Sequence, residues 1–125
     1  MNGKRYLLDT NAVVALLRGH APLLALLRPA EWVGISVISQ IEFLAFPGLT
    51  PPDRAALEAF TQRAEVVGLT AENRPLIDAI VALRQEQRLK LPDAIIAATA
   101  LIQRASLVTA DQRFQPTTAL PVVRF

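Results

Sequence analysis

Short apolar runs of strand character alternate along this sequence with segments whose apolar residues have helical spacing. The runs cover residues 6–8, 32–38, 66–69 and 106–109, and at least one predicted helix separates each from the next. Strands joined through helices require crossover connections, which favour a parallel sheet covered by helices on both faces. Residues 120–124 read as a short edge strand after Pro121. The sequence therefore predicts an α/β fold with a mainly parallel central sheet of four to five strands.

Four helix boundaries in this pattern are set by recognisable residues. One predicted helix opens at Ser39 and ends at Pro47-Gly48, and a long helix capped by Thr70 or Asn73 reaches about residue 88. Pro92 suits the first position of the next helix, which we expect over residues 93–103.

Composition limits the class of protein further. The 125 residues fit one domain spanning 1–125, and 52% of them are apolar. Charged or amide residues interrupt every apolar stretch before the roughly 18–20 residues that a membrane span needs, so no membrane association is expected. The start of the chain reads as a strand rather than a signal peptide, which predicts a cytoplasmic location. The absence of cysteine excludes a disulfide scaffold and thiolate zinc sites, and the single histidine, His20, excludes a His-rich metal site.

Four acidic residues stand at the predicted strand ends and helix starts: Asp9, Glu42, Asp93 and Asp111. Each has an ordinary structural interpretation. Asp9 could cap a helix, and Glu42 could form a capping box with Ser39. Asp93 would be favoured by a helix dipole, and Asp111 could form an Asx turn.

Taken together, the four positions favour a shared site. In open α/β sheets, ligands bind beyond the carboxyl ends of the strands. Carboxylates that converge there raise one another's pKa unless a cation compensates them. Oxygen ligands without histidine or cysteine suit a hard divalent cation, so the sequence predicts Mg²⁺ or Mn²⁺ as cofactor.

Four motifs carry a more specific resemblance. They are Leu8-Asp9-Thr10-Asn11, Ser39-x-x-Glu42, Asp93-Ala94-x-Ile96-Ala97-Ala98-Thr99-Ala100 and Val108-Thr109-x-Asp111-x-x-Phe114. In this order the chain resembles PIN-domain ribonucleases over essentially its whole length, and it looks most like a VapC-type toxin of a VapBC toxin–antitoxin system. The resemblance implies that the four acids are both the catalytic and the metal-binding residues. It also implies polar support from Thr10, Asn11, Ser39 and Thr109.

The resemblance implies metal-dependent hydrolysis of RNA phosphodiester bonds by an endoribonuclease, leaving a 5′-phosphate and a 3′-hydroxyl. The net charge is only +2, but eleven of the thirteen basic residues are arginine, which binds phosphates well. The RNA-binding candidates near the acids are Arg113, Arg88, Lys90 and Arg18. Each of them also reads as an ordinary surface charge.

The early helices are unusually apolar. They contain Leu23, Leu24, Phe43, Leu44, Phe46, Leu49, Leu57 and Phe60. The resemblance implies that a VapB-type antitoxin binds an apolar groove there and that the chain forms a homodimer. Ordinary core packing is the alternative for each residue. RNA bases can stack on aromatic side chains, but we expect Trp32, Tyr6 and Phe114 to pack in the core.

Other α/β phosphate-handling classes lack support in these motifs. A haloacid-dehalogenase-type phosphatase needs a second aspartate at position 11, which is Asn11, and no P-loop motif is present. A receiver domain needs a lysine after a late strand, and Val108-Thr109 has none. Two alternatives remain open: a non-catalytic PIN-like module that binds RNA or protein, and a general PIN nuclease without a cognate antitoxin.

Overall fold

Five strands and six helices are present within residues 3–125, the range that the computed structural model describes. The predicted domain also includes Met1 and Asn2, which lie outside the described residues. In chain order the elements are β1 Arg5–Leu8, α1 Thr10–Leu17, α2 Ala21–Leu27, β2 Trp32–Ser36, α3 Val37–Leu44, α4 Pro51–Thr61, β3 Glu65–Val67, α5 Arg74–Gln87, α6 Leu91–Ile102, β4 Ser106–Thr109 and β5 Val122–Arg124.

All five strands form one parallel sheet in the order β3-β2-β1-β4-β5. The central strand is β1, whose last residue, Leu8, pairs with Ile35 of β2 and Val108 of β4. The residues that follow β1, β2 and β4 therefore meet at the carboxyl edge of the sheet. The predicted α/β architecture, including the short fifth strand at an edge, is confirmed.

Helices cover both faces of the sheet, as the sequence predicts. Leu7 and Leu107 point into a core layer formed with α5 and α6. Tyr6, Leu8 and Val108 point the other way, into a layer formed with α1, α2 and buried residues of α3 and α4. Because the strands are buried on both sides, they can be almost continuously apolar, which accounts for the high apolar content.

The boundary between β2 and α3 differs from the prediction. The Ser36 hydroxyl accepts a hydrogen bond from the Ile38 backbone N–H at 3.0 Å, so Ser36 caps the helix and the prediction that Ser39 opens it is wrong. Val37 and Ile38 are β-branched and therefore favour a strand locally, but the cap at Ser36 places both in the helix.

Three other boundaries are adjusted by a few residues. The third strand covers Glu65–Val67 rather than residues 66–69, and α6 begins at Leu91 rather than residue 93. Of the two candidate caps of α5, Asn73 fills the position, because its side chain accepts a hydrogen bond from the Leu76 N–H at 3.2 Å.

No single helix among residues 3–125 combines the length and the apolar character needed to cross a membrane; α1 and α2 pass that test only as a pair bent by 105°.

Candidate active site

Asp9 links the end of β1 to the start of α1. Its side chain is buried, and Oδ1 accepts a hydrogen bond from the Ala12 N–H at 2.8 Å, which caps the helix. Oδ2 accepts a hydrogen bond from the Thr109 hydroxyl at the end of β4. Burial raises the pKa of Asp9, against the effect of these two hydrogen bonds, and the charges of Asp111 and Asp93 raise it further.

Asp93 lies in the first turn of α6, where its side chain retains 19% of its exposure. Burial is again the main reason that its pKa is raised. Arg113 and Lys90 lower this pKa, whereas the charges of Asp111 and Glu42 raise it. The four acids come from different elements or turns, and they are close enough for charge interactions among them to influence the pKa of Asp9 and of Asp93.

Glu42 lies on the exposed side of α3, and its carboxylate accepts a hydrogen bond from the Thr10 hydroxyl at 2.5 Å. It makes no capping box with Ser39, because the cap of α3 is Ser36. Ser39 is instead fully buried in the first turn of α3, and within residues 3–125 its hydroxyl has no hydrogen-bond partner. Thr10 therefore positions Glu42, while the predicted capping role of Ser39 is wrong.

Asp111 follows β4 and forms the expected Asx turn. Its Oδ1 accepts a hydrogen bond from the Arg113 backbone N–H at 2.9 Å, and its own N–H donates to the Thr109 hydroxyl at 2.9 Å. The Arg113 guanidinium binds the same carboxylate, with Nη2 2.5 Å from Oδ2 and Nε 3.0 Å from Oδ2. This pairing holds the pKa of Asp111 below its usual value.

Arg113 also reaches the acid on α6. Its Nη1 lies 3.3 Å from Asp93 Oδ2, so one guanidinium bridges Asp93 and Asp111. In this arrangement, no group of three His, Cys, Asp or Glu side chains within residues 3–125 is placed so that it could hold a metal ion. The structure thus brings the four predicted acids to one edge of the sheet, but an arginine occupies the space between two of them.

Arg124 was not identified from the sequence. It lies on β5 opposite Thr109, and its guanidinium donates hydrogen bonds to the backbone carbonyls of Asp111 and Phe114, the second at 2.5 Å. It therefore fixes the turn that carries Asp111 and Arg113. A single arginine on an exposed edge strand gives no sequence signal for such a contact.

The other predicted basic residues have separate surroundings. Lys90 precedes α6 closely enough for its charge to act on Asp93. Arg18 lines the same groove as Thr10, Asn11 and Glu42. Arg88 is exposed at the end of α5, with a left-handed backbone (φ 54°).

An apolar groove of about 350 Å³ runs away from Glu42 between α1, α3 and α4. Its apolar lining is formed by Val14, Leu17, Phe43, Phe46, Leu49 and Ala56. Phe46, which follows α3, is 62% exposed, whereas Phe43 within α3 is buried in the core. Of the other apolar residues in the early helices, Leu23 and Leu57 are buried and Leu24 is exposed.

Tyr6 and Phe114 are core residues as expected, but Trp32 is only partly buried and packs against the Arg5 guanidinium.

Comparison with known proteins identifies the family. A family model described as PIN domain matches residues 6–119. No match was found among curated proteins.

Solved structures give a consistent result. The chain is similar to a toxin–antitoxin complex from Klebsiella pneumoniae, with 28% identity, TM-score 0.76 and coverage of 92% of this chain and 94% of that one. It also shares its fold with VapBC2 from Rickettsia felis bound to a promoter DNA fragment, with 23% identity, TM-score 0.79 and coverage of 97% and 98%. DNA-bound VapBC from Salmonella typhimurium has the same fold, with 21% identity, TM-score 0.73 and coverage of 97% and 98%.

Proposed function

The chain belongs to the PIN domain family, and we propose that it is a metal-dependent endoribonuclease acting as the toxin of a toxin–antitoxin pair. The observation that carries this proposal is the convergence of Asp9, Glu42, Asp93 and Asp111 at the carboxyl edge of a parallel sheet. Burial raises the pKa of Asp9 and Asp93, so their charged forms are unfavourable in the folded chain. A site for a positively charged ligand would explain why they are buried there. Likeness to a toxin–antitoxin complex supports the biological role.

The donor atoms of the four acids are all carboxylate oxygens, which fit a hard divalent cation such as Mg²⁺ or Mn²⁺. Asp9 and Asp93 would hold the principal ion, with Glu42 and Asp111 beside them. Such an ion supplies a water of lowered pKa and neutralises charge that develops on the phosphate.

The surrounding residues keep these acids in place. Thr109 donates to Asp9 and accepts from the Asp111 backbone, which fixes two of the acids relative to each other. Thr10 holds the Glu42 carboxylate. Asn11 lines the adjoining groove. Ser39 is buried within α3, the helix that carries Glu42, and among the described residues its hydroxyl makes no hydrogen bond to an acid. We assign Thr10 and Thr109 as positioning residues.

RNA would approach this edge through basic side chains. Arg18 lies in the groove beside Glu42, and Lys90 lies close to Asp93. Arg88 adds a third exposed charge at the end of α5. We propose that these residues bind phosphates, and that Arg113 joins them only when it leaves the two aspartates.

The apolar groove is proposed as the binding site of a VapB-type antitoxin. It begins at Glu42 and Thr10, so a segment lying in it would also cover Glu42, the site acid that lines the groove. Likeness to a toxin–antitoxin complex supports a partner of this kind. The homodimer that the resemblance implies and the cytoplasmic location that the sequence predicts remain part of the same proposal.

The first test is RNA cleavage by the purified chain. Total cellular RNA incubated with Mg²⁺ or Mn²⁺ should be cut internally, and EDTA should stop the reaction. Asp9→Asn and Asp93→Asn should each lower the cleavage rate by at least about 100-fold, because each removes a negative charge that would hold the divalent cation. Sequencing of the product ends should show 5′-phosphates.

Asp78→Asn is the matched control, because Asp78 is an exposed acid on α5 whose ion partner is Arg74; it should cleave like the unmodified chain. Cleavage that survives both EDTA and the Asp9 and Asp93 changes would exclude the metal-dependent mechanism. An unmodified chain that binds RNA without cutting it would favour the non-catalytic module.

A further inference from the structure

Arg113 is held in place by contacts on both of its sides. Its side chain spans from the Asp111 carboxylate to Asp93, with distances of 2.5 and 3.3 Å. Its backbone N–H is fixed by the Asp111 side chain, and the neighbouring Phe114 is buried. Arg124 secures the carbonyls at both ends of this turn. The guanidinium is therefore directed at the two carboxylates by the fold, although 57% of its side chain is exposed.

The pairing uses the carboxylate atoms that a cation would need. Arg113 Nη1 lies against Asp93 Oδ2, while Nε and Nη2 share Asp111 Oδ2. Nε and the backbone N–H also contact Asp111 Oδ1. A second positive ion placed between the same two acids would be repelled at close range.

We propose that Arg113 is an internal counter-ion that competes with the divalent cation for Asp93 and Asp111. The inference rests on the proposed function, because it takes these acids to be metal ligands. The chain exchanges between an arginine-paired state and a state in which the guanidinium has left the carboxylates. The observed affinity for the metal is then reduced by the fraction of molecules that are arginine-paired.

The pairing of Arg113 with the two carboxylates stabilises the metal-free protein. With the guanidinium in place, neither Asp93 nor Asp111 is left as an uncompensated carboxylate beside Asp9. Removal of Arg113 should therefore destabilise the metal-free chain while making it a better metal binder. A residue that simply strengthened the fold would not give these opposite effects.

The test is calorimetric titration of the full chain with Mn²⁺, together with thermal unfolding in EDTA and in saturating Mn²⁺. Arg113→Gln should bind Mn²⁺ about tenfold or more tightly than the unmodified chain if the paired state is at least about 90% populated. In EDTA its melting temperature should be lower, and in saturating Mn²⁺ this difference should disappear. Arg113→Lys, which keeps the charge, should bind Mn²⁺ with an affinity between the two.

Arg74→Gln is the matched control, because it removes an arginine from an exposed ion pair with Asp78 on α5; its Mn²⁺ affinity should equal that of the unmodified chain. If Arg113→Gln binds Mn²⁺ as weakly as the unmodified chain or more weakly, the competition is excluded while the metal-dependent nuclease stands. If neither protein binds Mn²⁺, the proposed metal site fails and the competition fails with it.

Discussion

A single carboxylate at the end of β1 has both a structural and a proposed chemical role. Asp9 caps α1 through one oxygen and receives the Thr109 hydroxyl on the other. A neutral amide could supply the cap equally well. Burial nevertheless raises the pKa of the carboxyl, so the charged form is held at a cost to the fold. Such a cost is typical of a residue that is retained for function rather than for stability.

The first prediction at this scale concerns pH and stability in EDTA. The folded chain keeps a proton on Asp9 to a higher pH than the unfolded chain, whose value is near 3.8. The free energy of unfolding should therefore fall as pH rises through the folded pKa, and the loss should be complete above that pKa. Asp9→Asn removes this dependence, so urea unfolding should find the variant more stable than the unmodified chain at pH 7.5.

The difference should shrink below pH 3.8, where Asp9 is protonated in both states. Asp93 and Asp111 remain in both chains, so the effect of their own burial is common to both curves and only their charge interaction with Asp9 differs. If Asp9→Asn were less stable than the unmodified chain at pH 7.5, the charged Asp9 carboxylate would not be destabilising the fold.

At the scale of elements, the site depends on an edge strand that contributes no acid. Arg124 extends from β5 to the turn after β4 and binds the carbonyls of Asp111 and Phe114. This contact connects the edge strand to the turn that carries Asp111 and Arg113. It explains how an exposed turn can keep Asp111 and Arg113 aligned with the buried end of β1.

Arg124→Met, which keeps length but removes the donors, should loosen this turn. We expect a loss of roughly 1–3 kcal/mol in the free energy of unfolding, and faster amide hydrogen exchange at Phe114. Ribonuclease activity should fall about tenfold, because small displacements of catalytic groups are costly. Urea unfolding, exchange monitored by NMR and RNA cleavage measure the three effects.

Arg63→Met, at an exposed arginine just after α4, is the control and should leave the Phe114 exchange rate unchanged. If Arg124→Met matched the unmodified chain in exchange and activity, the turn would not depend on β5.

Element order and the four acidic positions could be predicted because they depend on local pattern. Strand runs, caps and prolines lie in continuous sequence, so the parallel sheet and the edge that collects Asp9 and Asp93 follow from them. The start of α3 could not be placed correctly, because Val37 and Ile38 favour a strand until Ser36 is known to cap the helix. Local propensity is a weak guide where one capping hydrogen bond decides.

The partners of the site residues could not be predicted, because they come from distant parts of the chain. Thr10 and Glu42 are joined across α1 and α3, and Arg124 reaches its turn only because β5 pairs beside β4. The sequence offers Arg113 as an RNA-binding candidate or an ordinary surface charge, yet its side chain lies on Asp93 and Asp111. Side-chain direction at a sheet edge depends on this tertiary packing.

At the scale of the whole molecule, charge and apolar surface are distributed unequally. Setting aside the four acids of the site leaves seven acidic residues against thirteen basic ones. One of the thirteen, Arg113, lies within the acidic site itself, so the site is partly neutralised before any ligand binds. The remaining positive charge suits attraction of a polyanion such as RNA.

The apolar groove includes only Glu42 of the four acids, which allows the activity and its proposed inhibition to be tested separately. Phe46 lies in the groove and is 62% exposed, so Phe46→Asp should fold normally and cleave RNA at the rate of the unmodified chain. The partner to use is a VapB-type antitoxin that inhibits the unmodified chain. A carboxylate buried in the groove should weaken its binding by about 100-fold or more. Leu24→Asp, at an exposed residue of α2 outside the groove, should remain fully inhibited. RNA cleavage and antitoxin binding should be measured on all three chains. If the antitoxin inhibited Phe46→Asp as strongly as the unmodified chain, it would bind outside this groove.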